Sequence, residues 1–116
     1  MSTCNLKLTI STVLKELGIS SNIRGYHYLK YAIELMIKDI SYMNGITKRL
    51  YPDIAKRFNT NWKCAERTIR YAIEEGWYRG NINTQNKLFG YTVKLEKENP
   101  TNSEFIVTVA DYIGML

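Results

Sequence analysis

Four charged side chains recur at helical spacing near the middle of the sequence. They are Lys63, Glu66, Arg67 and Arg70, which at i, i+3, i+4 and i+7 share one face of an α-helix. Arginine can pair with the O6 and N7 atoms of guanine through two hydrogen bonds, and glutamate can accept one from the cytosine amino group. The stripe therefore predicts recognition in a DNA major groove, with Glu66, Arg67 and Lys63 as the base contacts.

Phosphate contacts are expected beside this stripe, because they fix the register of a protein on DNA without reading the sequence. The segment from Ile46 to Gly80 has eight basic and four acidic residues, and so carries most of the net charge of +5. A concentrated basic region is typical of a phosphate-binding surface, although a solvated helix face gives the same count. The candidate phosphate contacts are Lys56, Arg57, Thr60, Asn61, Trp62 and Arg70.

Other chemistries lack a matching pattern in the sequence. Cys4 and Cys64 are far apart and His27 is the only histidine, so none of the usual zinc-ligand spacings occurs. No glycine-rich phosphate loop or paired-carboxylate arrangement stands out, and His27 has no neighbours suggestive of a catalytic triad. We therefore expect no enzymatic activity, no catalytic residues, no metal and no cofactor.

The stripe needs a scaffold, and apolar periodicity predicts one built from helices. A chain of 116 residues, 45% of them hydrophobic, is expected to form one globular domain. The pattern predicts a first helix ending at Gly18 and a long second helix from Tyr26 to Met43, closed by Asn44-Gly45. Further helices are predicted at 52–58, at 61–77, at about 83–89, and after a capping box formed by Thr101 and Glu104.

Local signals sharpen some of these boundaries. Tyr51 precedes a proline and is expected outside the α region, so Pro52 should begin a fresh helix. Asn59 is expected in a left-handed turn between two helices. The alternating segment Tyr91–Leu95 has no evident partner strand and is predicted to be an extended loop. The expected fold is an all-α, compact five- to six-helix domain containing a helix-turn-helix.

The expected location is the cytoplasm. The N-terminal residues lack the basic-then-apolar layout of a signal peptide, and no apolar run approaches the roughly 20 residues that span a bilayer. No membrane partner is therefore expected.

Several segments, in order along nearly the whole chain, carry a family resemblance. The chain resembles the C-terminal effector domain of the sporulation master regulator, the stage-zero response regulator of endospore-forming bacteria. The segments are Gly25-Tyr-His-Tyr-Leu-Lys30, Ile46–Thr60, Glu66–Glu74, Trp77–Ile82, Leu88–Val93 and Pro100–Ile106.

The resemblance implies a six-helix domain that binds short asymmetric DNA boxes as tandem copies and activates or represses transcription. It implies that a Glu-Arg pair contacts bases, which matches Glu66-Arg67, and that the last helix, about Ser103 to Ile113, contacts a neighbouring copy. It also implies contacts with the sigma subunit of RNA polymerase from the region after the recognition helix. The matching candidates are Trp77, Arg79, Asn81, Leu88 and Phe89.

Two departures from the family pattern leave questions open. Lys63-Cys64-Ala65 stands where the family usually has Ser-Arg-Val, which leaves the preferred box open. The phosphorylatable receiver domain is absent, so we expect residues 1–116 to be a single effector domain, either an excised piece or a receiver-less relative. Two function classes remain: a sequence-specific transcription regulator, and a helical module that antagonises a full-length relative or binds the sigma subunit without reading DNA. Steep salt dependence of DNA binding would separate them.

Overall fold

The computed structural model describes residues 3–90 and 99–115. The described residues form six α-helices and no strand, so the all-α prediction is confirmed. The helices are α1 (Thr3–Glu16), α2 (Arg24–Lys38), α3 (Tyr51–Arg57), α4 (Trp62–Trp77), α5 (Ile82–Phe89) and α6 (Asn102–Gly114). A 3₁₀ turn (Ile40–Asn44) and a π-helical turn (Ile46–Leu50) connect α2 to α3.

Helix α2 forms the centre of the domain and packs against α1, α4 and α6. Its apolar residues recur every three or four positions, and Leu29, Ala32, Ile33 and Met36 are completely buried. Helix α6 supplies the opposite side of the core, including the fully buried Phe105. The core therefore packs against one face of α4, and the opposite face of that helix is turned toward solvent.

The predicted end of the first helix at Gly18 is confirmed. Gly18 has φ +92°, a left-handed conformation that glycine adopts without a steric penalty. A Cβ atom built there would lie 2.0 Å from the carbonyl oxygen of Gly76 in α4. The amide of Asn81 also donates to the carbonyl of Glu16 at 2.7 Å. These backbone contacts fix the end of α1 against the end of α4.

The prediction of one long helix from Tyr26 to Met43 is wrong. Helix α2 ends at Lys38, and Asp39 has an extended backbone with φ −146°. The Asp39 carboxylate accepts hydrogen bonds from the amide and hydroxyl of Ser41, at 3.0 and 2.6 Å. These local bonds compete with the helix and start a 3₁₀ turn instead. Ile40 and Met43, expected on the buried stripe, are 66% and 47% exposed.

The expected helix boundary at Tyr51 is also wrong. Tyr51 has φ −60° and ψ −43°, so it is helical although it precedes a proline. The chain enters α3 through a π-helical turn in which the amide of Leu50 donates to the carbonyl of Gly45 at 2.9 Å. Burial of Tyr51, which is 5% exposed, then outweighs the local steric preference.

The last two helices follow the predicted pattern closely. Helix α5 begins at Ile82, and α6 begins with the predicted capping box between Thr101 and Glu104. The segment Tyr91–Leu95, predicted to be an extended loop, lies outside the described residues. Within the described ranges, no helix combines the length and apolar character needed to cross a lipid bilayer.

Candidate nucleic-acid interface

A short turn joins α3 to α4, and its hydrogen bonds fix the angle between the two helices. The amide of Phe58 donates to the carbonyl of Ile54 at 3.1 Å, and the amide of Thr60 donates to the carbonyl of Ala55 at 2.9 Å. Between them Asn59 has φ +56°, which confirms the predicted left-handed turn. The side-chain oxygen of Asn61 accepts from the amide of Cys64 at 2.8 Å and caps the start of α4.

Helix α4 has a buried face and a charged face, as its sequence predicts. Ala65 and Ile69 are completely buried in the core. Lys63 and Arg67 are exposed on the other side, and neither forms an ion pair within the described part of the chain. The predicted orientation of α4 is therefore confirmed, and two unpaired cations face solvent from its N-terminal half.

Glu66 and Arg70 complete the charged stripe, but they contact each other. Oε1 of Glu66 lies 3.3 Å from Nη1 of Arg70, one helical turn away. The side chain of Glu66 is 30% exposed and that of Arg70 is 53% exposed. An ion pair with this much solvent contact contributes about 0–1 kcal/mol, so either partner can exchange it for another ligand at little cost.

The other predicted phosphate contacts surround the start of α4. Lys56 and Arg57 are exposed on the last turn of α3, and the guanidinium carbon of Arg57 lies 5.0 Å from the centre of the Phe58 ring. Trp62 is 42% exposed, and Lys63 Nζ lies 5.8 Å from its ring centre. Thr60 is half-buried and Asn61 is exposed. The structure thus brings all of these candidates to one end of α4.

Asn102 is a positioning residue that the sequence analysis missed. It is 8% exposed, and its side-chain amide donates to the carbonyl of Glu66 at 3.0 Å and to the Tyr51 hydroxyl at 3.2 Å. Asn102 therefore ties the first turn of α6 to both α3 and α4. Burial raises the pKa of the Tyr51 hydroxyl, which keeps that group neutral in the contact.

A close contact with α2 fixes the middle of α4 from the other side. Gly25 is buried, and a Cβ atom there would lie 2.4 Å from the Cβ of Ala72 and 2.8 Å from the carbonyl oxygen of Thr68. Only glycine allows the two backbones to approach this closely. Helix α4 is therefore held by α2, α3 and α6, and these contacts leave three stripe residues exposed and Glu66 half-buried; the exposed ones are Lys63, Arg67 and Arg70.

Cys64 lies beside the stripe, and its thiol has a distinctive environment. Hydrogen bonds with the hydroxyls of Thr60 and Thr68 lower the pKa of Cys64 below the ordinary thiol value, and the charges of Arg67 and Arg24 act in the same direction. The sulfur lies 3.8 Å from the Thr68 hydroxyl oxygen. The thiol is therefore surrounded by two hydroxyl groups and two cations beside the stripe.

The predicted polymerase contacts lie at the opposite end of α4, where they divide into packing and exposed residues. The rings of Trp77 and Phe89 meet edge to face with centroids 5.1 Å apart, and Phe89 is only 3% exposed. These two residues hold α5 against the core, and Leu88 is half-buried. Arg79 and Asn81 are exposed, and the Asn81 side chain caps α5. The structure places an accessible polar surface here at Arg79 and Asn81.

Comparison with known protein families identifies the family of this chain. Residues 10–113, nearly the whole chain, match the family model described as the sporulation initiation factor Spo0A C terminal. Members of this family are DNA-binding effector domains of transcription factors that regulate sporulation, and the family is not one of enzymes. The chain, with its exposed cationic helix held on an all-α scaffold, belongs to the Spo0A C-terminal domain family.

Proposed function

We propose that this domain binds double-stranded DNA sequence-specifically as a transcription regulator, with the N-terminal half of α4 in the major groove. The observation that carries the proposal is the division of α4 into two faces. Ala65 and Ile69 are buried while Lys63 and Arg67 are exposed and unpaired within the described residues. Helix α3 and its turn then act as the first half of a helix-turn-helix.

Base contacts are assigned to Glu66, Arg67 and Lys63. The guanidinium of Arg67 has no competing carboxylate among the described residues, so it can form the bidentate pair with guanine. Glu66 can accept from a cytosine amino group once Arg70 turns toward a phosphate. Because an exposed ion pair is weak, DNA can replace the contact between Glu66 and Arg70 at little cost.

Phosphate contacts are assigned to the residues around the start of α4. Lys56, Arg57 and Arg70 supply charge, whereas Asn61 and Trp62 supply neutral donors. Thr60 can add a third neutral donor once its hydroxyl turns from the Cys64 thiol toward a phosphate. The side-chain oxygen of Asn61 is already used as the helix cap, so its amide nitrogen is the atom that remains for a phosphate oxygen. Such contacts set the register of α4 in the groove without adding sequence preference.

Selection of bound sequences from a random duplex pool, followed by binding measurements on the selected box, tests the proposal. Arg67→Ala should lose about 1–3 kcal/mol of discrimination at one guanine position. Lys56→Ala should weaken binding to every sequence alike and make the salt dependence shallower by about one unit. A wild-type chain that selects no sequence, or that ignores duplex DNA in dilute salt, would refute sequence-specific binding and favour a protein-interaction module.

Two further partners follow from the family and are proposed with this function. The surface at Arg79 and Asn81 is the candidate contact with the sigma subunit of RNA polymerase, and α6 is the candidate contact between copies bound at tandem boxes. Arg79→Ala should leave DNA affinity unchanged and reduce transcription activation on a template carrying the selected box. If Arg79→Ala loses both DNA affinity and transcription activation, Arg79 belongs to the DNA interface instead.

A further inference from the structure

A second basic surface adjoins the charged stripe on the side of α2. A groove of about 370 Å³ runs between the start of α2 and the middle of α4. Two of the residues that line it, Arg24 and Arg67, carry a guanidinium group. The full lining is Ile23, Arg24, Gly25, Arg67, Thr68 and Tyr71.

The lining of this groove supplies positive charge and no negative charge. None of the six lining residues is acidic, and the first turn of α2 contains no acidic residue. Neither Arg24 nor Arg67 belongs to an ion pair between described residues. Both arginines lower the pKa of the Cys64 thiol, which indicates that their charges act at the same side of α4. The groove therefore carries two guanidinium groups that form no ion pair between described residues, and Arg24 is the one that is not already assigned to base recognition.

The walls of the groove are fixed relative to each other. The contact of Gly25 with Ala72 and Thr68 leaves no room for even a methyl group between α2 and α4. Arg24 directly precedes this contact, and Arg67 directly precedes Thr68. The backbone positions from which the two arginine side chains extend are therefore set by the core.

We propose that this groove holds the sugar-phosphate backbone of one DNA strand, with Arg24 contacting a phosphate that flanks the base pairs read by α4. The Tyr71 side chain, which is 58% exposed, supplies a neutral donor beside the same stretch of backbone. Arg67 stands between the two surfaces, at the edge of the groove and on the base-reading stripe. This inference rests on the proposed DNA binding and adds a second, α2-based phosphate contact to it.

The test compares single charge removals on duplex DNA that carries the selected box. Arg24→Gln is measured against the wild-type chain and against Lys87→Gln, which removes one positive charge from α5. Lys87 is a suitable control because its amine lies 5.5 Å from the centre of the Tyr112 ring of α6, away from the groove. Circular dichroism establishes that each variant is folded.

Arg24→Gln should weaken binding about 5- to 10-fold in dilute salt and make the plot of log affinity against log salt shallower by about one unit. The ratio of affinities for selected and scrambled boxes should not change, and Lys87→Gln should bind like the wild type. Replacing individual phosphates with neutral methylphosphonates should identify one flanking phosphate that matters in the wild type and no longer matters in Arg24→Gln.

An Arg24→Gln variant with the wild-type salt slope would overturn the groove assignment while leaving the proposed function intact. A variant whose preference among bases changes would also overturn it, because Arg24 would then act on base recognition. A wild-type chain that does not bind duplex DNA would remove the proposed function, and this inference with it.

Discussion

Asn102 is the residue whose replacement tests the account of how α4 is positioned. Its side-chain amide donates to the Glu66 carbonyl and to the Tyr51 hydroxyl, at 3.0 and 3.2 Å. Asn102→Ala removes both hydrogen bonds and leaves both acceptors without this donor. Asn102 is only 8% exposed, so its amide is largely shielded from water in the folded domain. We expect the domain to fold with reduced stability.

The magnitude follows from the number and kind of bonds lost. Each intramolecular hydrogen bond contributes about 1 kcal/mol net, so two bonds amount to about 2 kcal/mol. The Glu66 carbonyl lies inside α4 and keeps its own helical partner, so the full penalty for an unpaired buried acceptor does not apply there. A loss of about 2 kcal/mol lowers the melting temperature of a domain of this size by about 8 °C.

Urea unfolding followed by circular dichroism measures this loss, with Ser103→Ala as the matched control. Ser103 is the exposed neighbour on the same turn of α6, and its replacement should change stability by less than about 0.5 kcal/mol. Tyr51→Phe removes only one of the two bonds. The double variant with Asn102→Ala should therefore show a coupling energy of about 1 kcal/mol.

An Asn102→Ala variant as stable as Ser103→Ala would refute the proposed role of the two hydrogen bonds. Simple additivity of the losses from Tyr51→Phe and Asn102→Ala would refute it as well. In the first case the first turn of α6 does not hold α4. In the second, Tyr51 and Asn102 act independently, and burial alone keeps Tyr51 in place.

Three further changes probe other parts of the structure. Gly18→Ala should lower the free energy of unfolding, measured in urea, by more than about 1 kcal/mol, because the left-handed backbone and the contact with Gly76 both disfavour a Cβ atom. A variant with wild-type stability would contradict that contact. The alkylation rate of Cys64 should begin to rise at a lower pH than that of an ordinary thiol, because its lowered pKa increases the fraction of thiolate. Bound DNA should slow this reaction. Equal rates with and without DNA would place the thiol outside the interface. The Tyr42 hydroxyl donates a hydrogen bond to the Asp53 carboxylate at 2.5 Å, which raises the pKa of Tyr42 to about 12. The stability that this hydrogen bond contributes is therefore complete below pH 10.0 and is lost as pH rises toward about 12. In a titration followed by tyrosinate absorbance, Tyr42→Phe should lack one tyrosine that ionises near pH 12 in the wild-type chain.

The parts of the fold that depend on local chemistry were predictable from the sequence. Asn59 tolerates a left-handed backbone, Gly18 ends α1, and Thr101 with Glu104 opens α6. The two faces of α4 follow from the spacing of Ala65 and its neighbours. Each of these features depends on residues within one or two helical turns, so the sequence pattern contains the cause.

The features that the sequence did not predict depend on contacts between distant segments. Tyr51 is helical because its side chain is buried and bonded to Asn102, which overrides the local effect of the following proline. Asn102 itself looks like an ordinary surface residue within a helix cap, since its partners are 36 and 51 positions away. The end of α2 at Lys38 was missed for the opposite reason: the apolar periodicity through Ile40 and Met43 hid a short Asp39–Ser41 bonding pattern.

The hydrogen bond from Asn102 to α4 does not depend on which residue occupies position 66, because its acceptor is the main-chain carbonyl and not the side chain. The exposed positions 63 and 67 and the half-buried position 66 can consequently be varied together, proline excepted, in a library that keeps this hydrogen bond. Most members of such a library should fold, because the buried residues that hold α4 are unchanged. The library would then sample new binding preferences through changes in exposed side chains.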